Sequence, residues 1–155
     1  MTWLEAIILG IIQGLTEFLP ISSSGHLVLA QYFMDIDEQG VLIEIILHMG
    51  TLTAIFISYS DDLANLIIDI FKGTSETKIY IYYLSVATAP AVCAALLLED
   101  FIELTFTPSV VVIMLLITGA VLATTYFSKH RPIIQLTLSI AFYIGVAQAC
   151  ALIPG

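Results

Sequence analysis

The stretch Gly10-Ile-Ile-Gln-Gly-Leu-Thr-Glu-Phe-Leu-Pro-Ile-Ser-Ser-Ser-Gly-His26 places a carboxylate, three consecutive serine hydroxyls and an imidazole inside strongly apolar sequence. Ionisable groups at membrane depth are costly and by default mark a functional site. The Ser-Ser-Ser-Gly break also interrupts what would otherwise be one long apolar helix. Irregular backbone at that depth is tolerated only where it is buried in protein or lines a wet cavity. The stretch therefore reads as a catalytic or binding loop held within a membrane.

Composition supports that setting. Of 155 residues, 59% are hydrophobic and 11% are charged, against roughly 25% charged in soluble domains. A water-soluble fold of this composition would lack the polar surface to cover itself. The balance of 13 acids against 4 bases argues against a nucleic-acid partner, which needs clustered Lys and Arg. Met1-Thr-Trp-Leu-Glu5 has no basic n-region and does not read as a cleaved signal peptide. Cys93 and Cys150 stand singly in apolar runs and read as small buried hydrophobes.

Working outward, three apolar stretches are long enough to span a hydrocarbon core, which takes ~20 residues: Val41–Ser58, Ile79–Leu98 and Pro108–Phe127. Two others are broken. Trp3–Leu19 stops at Pro20 and is followed, after the serines, by a short helical piece over His26–Met34; Ile133–Ile153 stops at Pro154-Gly155. Lys72 and Lys78 precede the second span and Lys129 and Arg131 follow the third, whereas the loop Glu99-Asp-Phe-Ile-Glu103 is acidic. The positive-inside rule makes the Lys/Arg loops cytoplasmic and the acidic loop external. Asp35, Asp37 and Glu38 then also lie outside; the simpler model of Trp3–Met34 is a hairpin that dips in from that side and returns, the alternative a single crossing followed by a re-entrant piece. Asp62–Lys72 reads as an interfacial amphipathic helix, and His130 as a solvated loop residue.

The two broken segments resemble each other. Ala6-Ile-Ile-Leu-Gly-Ile-Ile-Gln-Gly14 aligns with Ala141-Phe-Tyr-Ile-Gly-Val-Ala-Gln-Ala149, with Ala, Gly and Gln at the same spacing and a proline after each. Three intervening spans invert the second copy, which is the signature of an inverted repeat whose broken helices meet near the midplane. The expected fold is an all-α polytopic membrane protein of inverted-repeat architecture with re-entrant helical hairpins and an incomplete second repeat. Residues 1–155 form one integral membrane domain: 1–127 are the first repeat (hairpin 3–34, spans 41–58, 79–98 and 108–127), and 133–155 open the second.

Within the first hairpin, Gln13 and Glu17 are four apart and share a helical face. Ser22, Ser23 and Ser24 precede Gly25-His26 and a helical run, so a serine N-cap would leave backbone N–H groups and a helix dipole available to an anion. Glu17, with Gln13, offers oxygens to a hard divalent cation. His26 is a candidate general acid or base. A hydroxyl, a base, a cation ligand and an anion nest suit phosphoryl transfer within reach of lipid. The plainer alternative pairs Glu17 with His26 and leaves the serines as helix caps. Glu44 and His48 also share a face; they line the same cavity, or form a buried pair bonded to each other or to Thr51. Gly10-x-x-x-Gly14 reads as a helix-packing notch.

Gln13-Gly-Leu-Thr-Glu17-Phe-Leu-Pro-Ile-Ser-Ser-Ser-Gly-His26 resembles the glutamate-rich first motif of the undecaprenyl-diphosphate phosphatase family, the BacA type. Leu47-His-Met-Gly-Thr-Leu52 resembles that family's segment in the next helix, and Gln148-Ala-Cys-Ala-Leu-Ile-Pro-Gly155 the opening of its second motif. The resemblance implies removal of the terminal phosphate from a polyprenyl diphosphate lipid, undecaprenyl diphosphate, which recycles the carrier of cell-wall synthesis and underlies bacitracin resistance. It implies a multi-pass protein of the cell membrane with two re-entrant hairpins, a site facing the external side and Mg2+ or Ca2+ assisting; a homodimer is compatible with it. Glu17 and Gln13 match the acidic pair that holds the cation, Gln13 with one charge fewer. Ser23 matches the nucleophilic or phosphate-binding hydroxyl and His26 the catalytic histidine. Ser22, Ser24 and Gly25 match phosphate contacts. In the family a Ser-Arg-Ser segment follows Pro-Gly, and its arginine holds the diphosphate. The sequence given stops before it, so the expectation is a fragment with reduced or no activity alone. The rival function is an inverted-repeat transporter or flippase for a lipid phosphate or small anion; a subunit completed by a partner chain is a third.

The charge topology has a direct check. With Cys93 and Cys150 replaced by serine, a cysteine at Asp100 should react with a membrane-impermeant maleimide in intact cells. One at Thr74 should react only after permeabilisation, and the reverse pattern would refute the orientation.

Overall fold

A computed structural model describes residues 1–36, 42–127 and 136–155. Among them every regular element is an α-helix: α1 (Trp3–Thr16), α2 (Ser23–Phe33), α3 (Leu42–Ser58), α4 (Ser60–Lys72), α5 (Ser75–Leu97), α6 (Glu99–Thr105), α7 (Pro108–Thr125) and α8 (Leu138–Cys150). Asp37, Glu38, Val41, Lys129, His130, Arg131 and the start of the segment expected from Ile133 lie outside the described residues.

Local chemistry sets the boundaries. Thr2 and Glu5 form a capping box at the start of α1, each side chain bonding the other's backbone N–H. The helix closes at Thr16, earlier than the apolar run suggests, because Pro20 bars a further turn. The loop expected over Glu99–Glu103 is instead the short helix α6: its acids do not oppose helix formation, and only Pro108, at the start of α7, forces the break. Between α4 and α5, Gly73 closes α4 in the left-handed conformation, and Thr74 caps α5.

α5 and α7 are each long and apolar enough to cross a membrane. α3, with 17 residues, reaches that length only together with α4, from which it is bent by 76°. The bend falls at Ser58-Tyr59-Ser60, where the apolar run gives way to Asp61-Asp62.

The chain divides into two compact units. The first comprises residues 1–52, 100–130 and 153–155. In it α1 packs on α2 and α2 on α7, around Leu9, Leu27 and Ile43 with Ile12, Ala30 and Leu47 alongside. The second comprises residues 53–99 and 131–152, in which α5 packs along α8 and touches α4.

Polarity is distributed as in a body whose solvent is hydrocarbon. Gln13, Thr16, Gln31, Glu44, Thr51 and Thr105 are buried, while Trp3 is 90% exposed and Phe33, Leu97 and Phe127 nearly as much. Cys93 and Cys150, expected to be buried, are free thiols on exposed helix surface. An apolar side chain needs no protein core when the exterior is itself apolar, so burial is no longer its default.

The glycines correct a second expectation. At Gly10 and Gly14 an added methyl would meet nothing within 4 Å, so this pair is no packing notch. The close approach is at Gly145, where a Cβ would lie 2.7 Å from the Ala87 carbonyl and 2.8 Å from the ring of Pro90. α8 thus fits its bare backbone against the proline inside α5. Gly145→Ala should therefore lower thermal stability in detergent by about 1–3 kcal/mol through overpacking. Gly10→Ala should be neutral or stabilising, by up to ~1 kcal/mol from helix propensity. Equal effects would show that the α5–α8 contact is loose.

Candidate active site

The serine loop is shorter than the sequence implies, because α2 begins at Ser23 and takes Ser24, Gly25 and His26 into its first turn. Ser22 is the N-cap, with φ 62°, a left-handed conformation rare outside glycine. Strain of this kind costs about 1–3 kcal/mol and persists where surrounding contacts over-determine it. Those contacts are present. Ser22 Oγ accepts the N–H of Gly25 at 3.2 Å and the N–H of Gly155 at 2.8 Å, and the Ser22 carbonyl accepts the His26 N–H at 3.2 Å.

Gly155 is held from its other side by Thr118 of α7, whose hydroxyl donates to the Gly155 carbonyl at 2.8 Å. Gly25 makes this junction possible: a Cβ there would stand 3.0 Å from the Gly155 Cα and 3.1 Å from Ser22 Oγ. The Pro-Gly segment at the far end of the sequence thus lies against the first serine loop. Thr118 carried no signal in the sequence, being one hydroxyl in an apolar helix.

Glu17 is the hub of the polar interior. Its Oε2 accepts the Ser23 hydroxyl at 2.5 Å and the Gln13 side-chain amide at 3.0 Å, and His48 Nε2 stands 3.4 Å away. The Gln13 amide also reaches Thr51 Oγ1 at 3.4 Å. Glu17 sits at the C-cap of α1, one helical turn after Gln13, so both side chains turn toward α3. The structure therefore brings together Gln13, Glu17, Ser23 and His48. It does not join Glu17 to His26 as the plainer sequence reading had it. His26 Nδ1 instead faces the Ser22 carbonyl at 2.8 Å. A carbonyl only accepts, so Nδ1 carries the proton and, in the neutral ring, Nε2 carries the lone pair. Ser22, with two N–H groups on its oxygen, has only its own proton left to give, and Ser24 Oγ lies 3.4 Å from it.

Glu44 and His48 do share a face, but their side chains part. Glu44 is 6% exposed and its Oε1 accepts the Gln31 amide at 2.6 Å, while its Oε2 has no hydrogen-bond partner. His48 Nδ1 faces the Glu44 main-chain carbonyl at 2.7 Å, and Thr51 Oγ1 donates to the His48 carbonyl at 3.0 Å. Gln31 was missed in the sequence; a glutamine within an eleven-residue apolar helix was the available signal.

The donor set fits a hard cation. Gln13 is 1% exposed, and its Oε1 is buried without a hydrogen-bond partner. The amide cannot be reversed to relieve this, because its nitrogen is needed by the Glu17 carboxylate. An orphaned carbonyl, a carboxylate and the lone pairs of Ser23 are the oxygen ligands that Mg2+ or Ca2+ prefers. Among the described residues no three His, Cys, Asp or Glu side chains gather, so further ligands would come from phosphate oxygens or water.

The family described as bacitracin resistance protein BacA matches residues 6–155. The chain belongs to the BacA family. It is 40% identical over 162 residues to a protein of Hahella chejuensis named undecaprenyl-diphosphatase, an alignment covering 100% of this chain and 61% of that one. A Salinibacter ruber protein of the same name is 39% identical over 170 residues, covering 100% and 63%. A Bacillus thuringiensis protein named undecaprenyl-diphosphatase 4 is 43% identical over 157 residues, covering 99% and 58%. The chain thus spans 58–63% of the length of these relatives. No solved structure matches it. Family membership and the apolar helices together make it a membrane protein.

The Gln31–Glu44 pair yields a stability test. Gln31→Leu leaves both carboxyl oxygens of Glu44 buried without a partner and should cost about 1–3 kcal/mol. The double variant Gln31→Leu/Glu44→Leu should recover most of that loss, since replacing both partners by apolar groups is close to neutral. Additive losses in thermal unfolding would show that the two residues do not act as a pair.

Proposed function

We propose that Glu17, Ser23 and His26 are the catalytic groups of a membrane diphosphatase acting on a polyprenyl diphosphate lipid, of which undecaprenyl diphosphate is the example named by the relatives. The observation that carries this reading is the 2.5 Å bond from Ser23 Oγ to Glu17 Oε2. A serine hydroxyl is a weak nucleophile until a base takes its proton, and here the carboxylate already accepts it. Glu17, rather than His26, is the base for this step.

In this reading Ser23 Oγ attacks the terminal phosphorus and its proton passes to Glu17. The bond from that phosphorus to the bridging oxygen breaks, and the lipid monophosphate leaves. Water then attacks the phosphoserine: His26 Nε2 takes the water proton, Glu17 returns its proton to Ser23 Oγ, and inorganic phosphate is released. His26 is three residues from Ser23 and therefore on the same face of α2. Its Nδ1–H bond to Ser22 holds the ring in the tautomer that a base requires. The Ser22 and Ser24 hydroxyls and the Ser23 and Ser24 amides at the start of α2 serve the phosphates as donors, the Gly25 and His26 amides being held by Ser22. Glu17 and Gln13 would hold a divalent cation, Mg2+ or Ca2+, which neutralises phosphate charge when bound.

The same reading takes the fold as an inverted repeat, with the substrate reaching the serine loop from the external leaflet of the cell membrane. The contact of Gly155 with Ser22 supports it, because two broken segments distant in sequence meet at one loop.

The test is phosphate release from undecaprenyl diphosphate by the chain co-expressed with the remaining segment of the Hahella chejuensis relative. Glu17→Gln and His26→Gln should each lower the rate by about 10²–10⁴-fold, the usual share of general acid–base catalysis. Ser23→Ala should abolish labelling of the protein by a 32P-labelled terminal phosphate. Unchanged rates in folded variants would overturn the residue assignments. Lipid transport without any phosphate release would replace the enzyme by a transporter.

A further inference from the structure

The proposed reactions leave His48 unused, although its ring stands against Glu17. Its Nδ1 faces the Glu44 main-chain carbonyl at 2.7 Å, which can only accept, so Nδ1 bears the hydrogen. The neutral ring then carries its lone pair on Nε2, which stands 3.4 Å from Glu17 Oε2. Two acceptors facing each other repel unless a positive charge lies between them. Beside them, the Gln13 amide is fixed through its nitrogen to Glu17 Oε2 and Thr51 Oγ1, and its carbonyl oxygen is buried with no hydrogen-bond partner. A proton between His48 and Glu17 would settle the first conflict and leave the second. A multivalent cation answers both, because it takes several lone pairs at once.

We propose that His48 Nε2 is a protein ligand of the divalent cation at Glu17, so that the site combines an imidazole nitrogen with the oxygens of Glu17 and Gln13. This deepens the cation reading given above and rests on it. A nitrogen ligand shifts the selectivity of the site. Imidazole suits Zn2+ and other late transition ions, whereas Ca2+ takes an all-oxygen shell. The imidazole therefore raises the affinity of the site for Zn2+ relative to Ca2+, and Mn2+ serves as its paramagnetic probe. The Glu44 carbonyl acts as the outer partner that fixes the tautomer and aims the ring, the arrangement that commonly orients metal-bound histidines. The side chains of His48 and Glu17 are 40% and 26% exposed, so the pair is only partly buried.

The test reads metal binding and not turnover, so it stands apart from the diphosphatase reading. Mn2+ is added to this chain in nanodiscs, and pulsed electron paramagnetic resonance records nuclear modulation from directly bound nitrogen. The expected result is a 14N modulation that changes to the 15N pattern when the chain carries 15N-histidine, a readout that needs no variant to fold. His48→Leu should remove the nitrogen coupling and weaken Mn2+ binding at least about 10-fold, while Ca2+ affinity changes little. His26→Gln and His130→Gln should keep the coupling. Bound Mn2+ without nitrogen coupling, or coupling that disappears with His26 or His130 instead, would overturn the assignment of His48. Absence of Mn2+ binding in the folded chain would overturn the cation reading on which it rests.

Discussion

Ser22 Oγ accepts one N–H from the first turn of α2 and another from Gly155, 133 residues further along the chain from Ser22. Much of the first unit follows from this oxygen. In hydrocarbon there is no water to satisfy a broken backbone, so any interruption of a helix must find its partners within the protein. Here the interruption is closed by one hydroxyl, with its own residue held in a left-handed conformation to reach both donors. Gly25 leaves room for the junction, and Thr118 holds Gly155 against α7 from the other side.

That closure determines what the neighbouring side chains can do. With Ser22 Oγ committed to two backbone N–H groups, Ser23 is the serine whose proton is directed to Glu17. With the Ser22 carbonyl bound to His26 Nδ1, the imidazole is oriented and its tautomer set. Three adjacent serines that look interchangeable in sequence thus differ in role: one builds the loop, one meets the carboxylate, and one stands beside the first. The polar interior continues through Gln13 and His48 to Thr51, and separately through Gln31 to Glu44.

Much of this was legible in the residue pattern. The helical class, the apolar stretches and the presence of a break before the second helix follow from the alternation of long apolar runs with Pro, Gly and Ser, because each obeys a local rule, although the break closes at Ser22 and Ser23–Gly25 are already helical. The cluster of Gln13, Glu17 and Ser23 was also legible, since polar groups in an apolar setting must converge on one another. What misled was the habit of reading burial from hydrophobicity. Cys93 and Cys150 are apolar and exposed, while Gln31 and Glu44 are polar and buried; the exterior of such a protein is the apolar phase. The Gly10–Gly14 spacing misled for a related reason, because a small residue permits close approach without requiring it, and the requirement falls on Gly145.

By itself the sequence determined the helical class, the presence of the break, the family and the set of candidate groups, all properties of short windows or of the residues present. Only the tertiary structure decided the partnerships. It joined Glu17 to Ser23 and His48 rather than to His26, gave the oxygen of Ser22 to Gly155, and paired Glu44 with Gln31. The physical reason is range. Helix propensity and capping act within a few residues, whereas a hydrogen bond between side chains on different helices depends on how those helices pack. Packing is settled by the whole unit, down to the single glycine that lets two backbones meet.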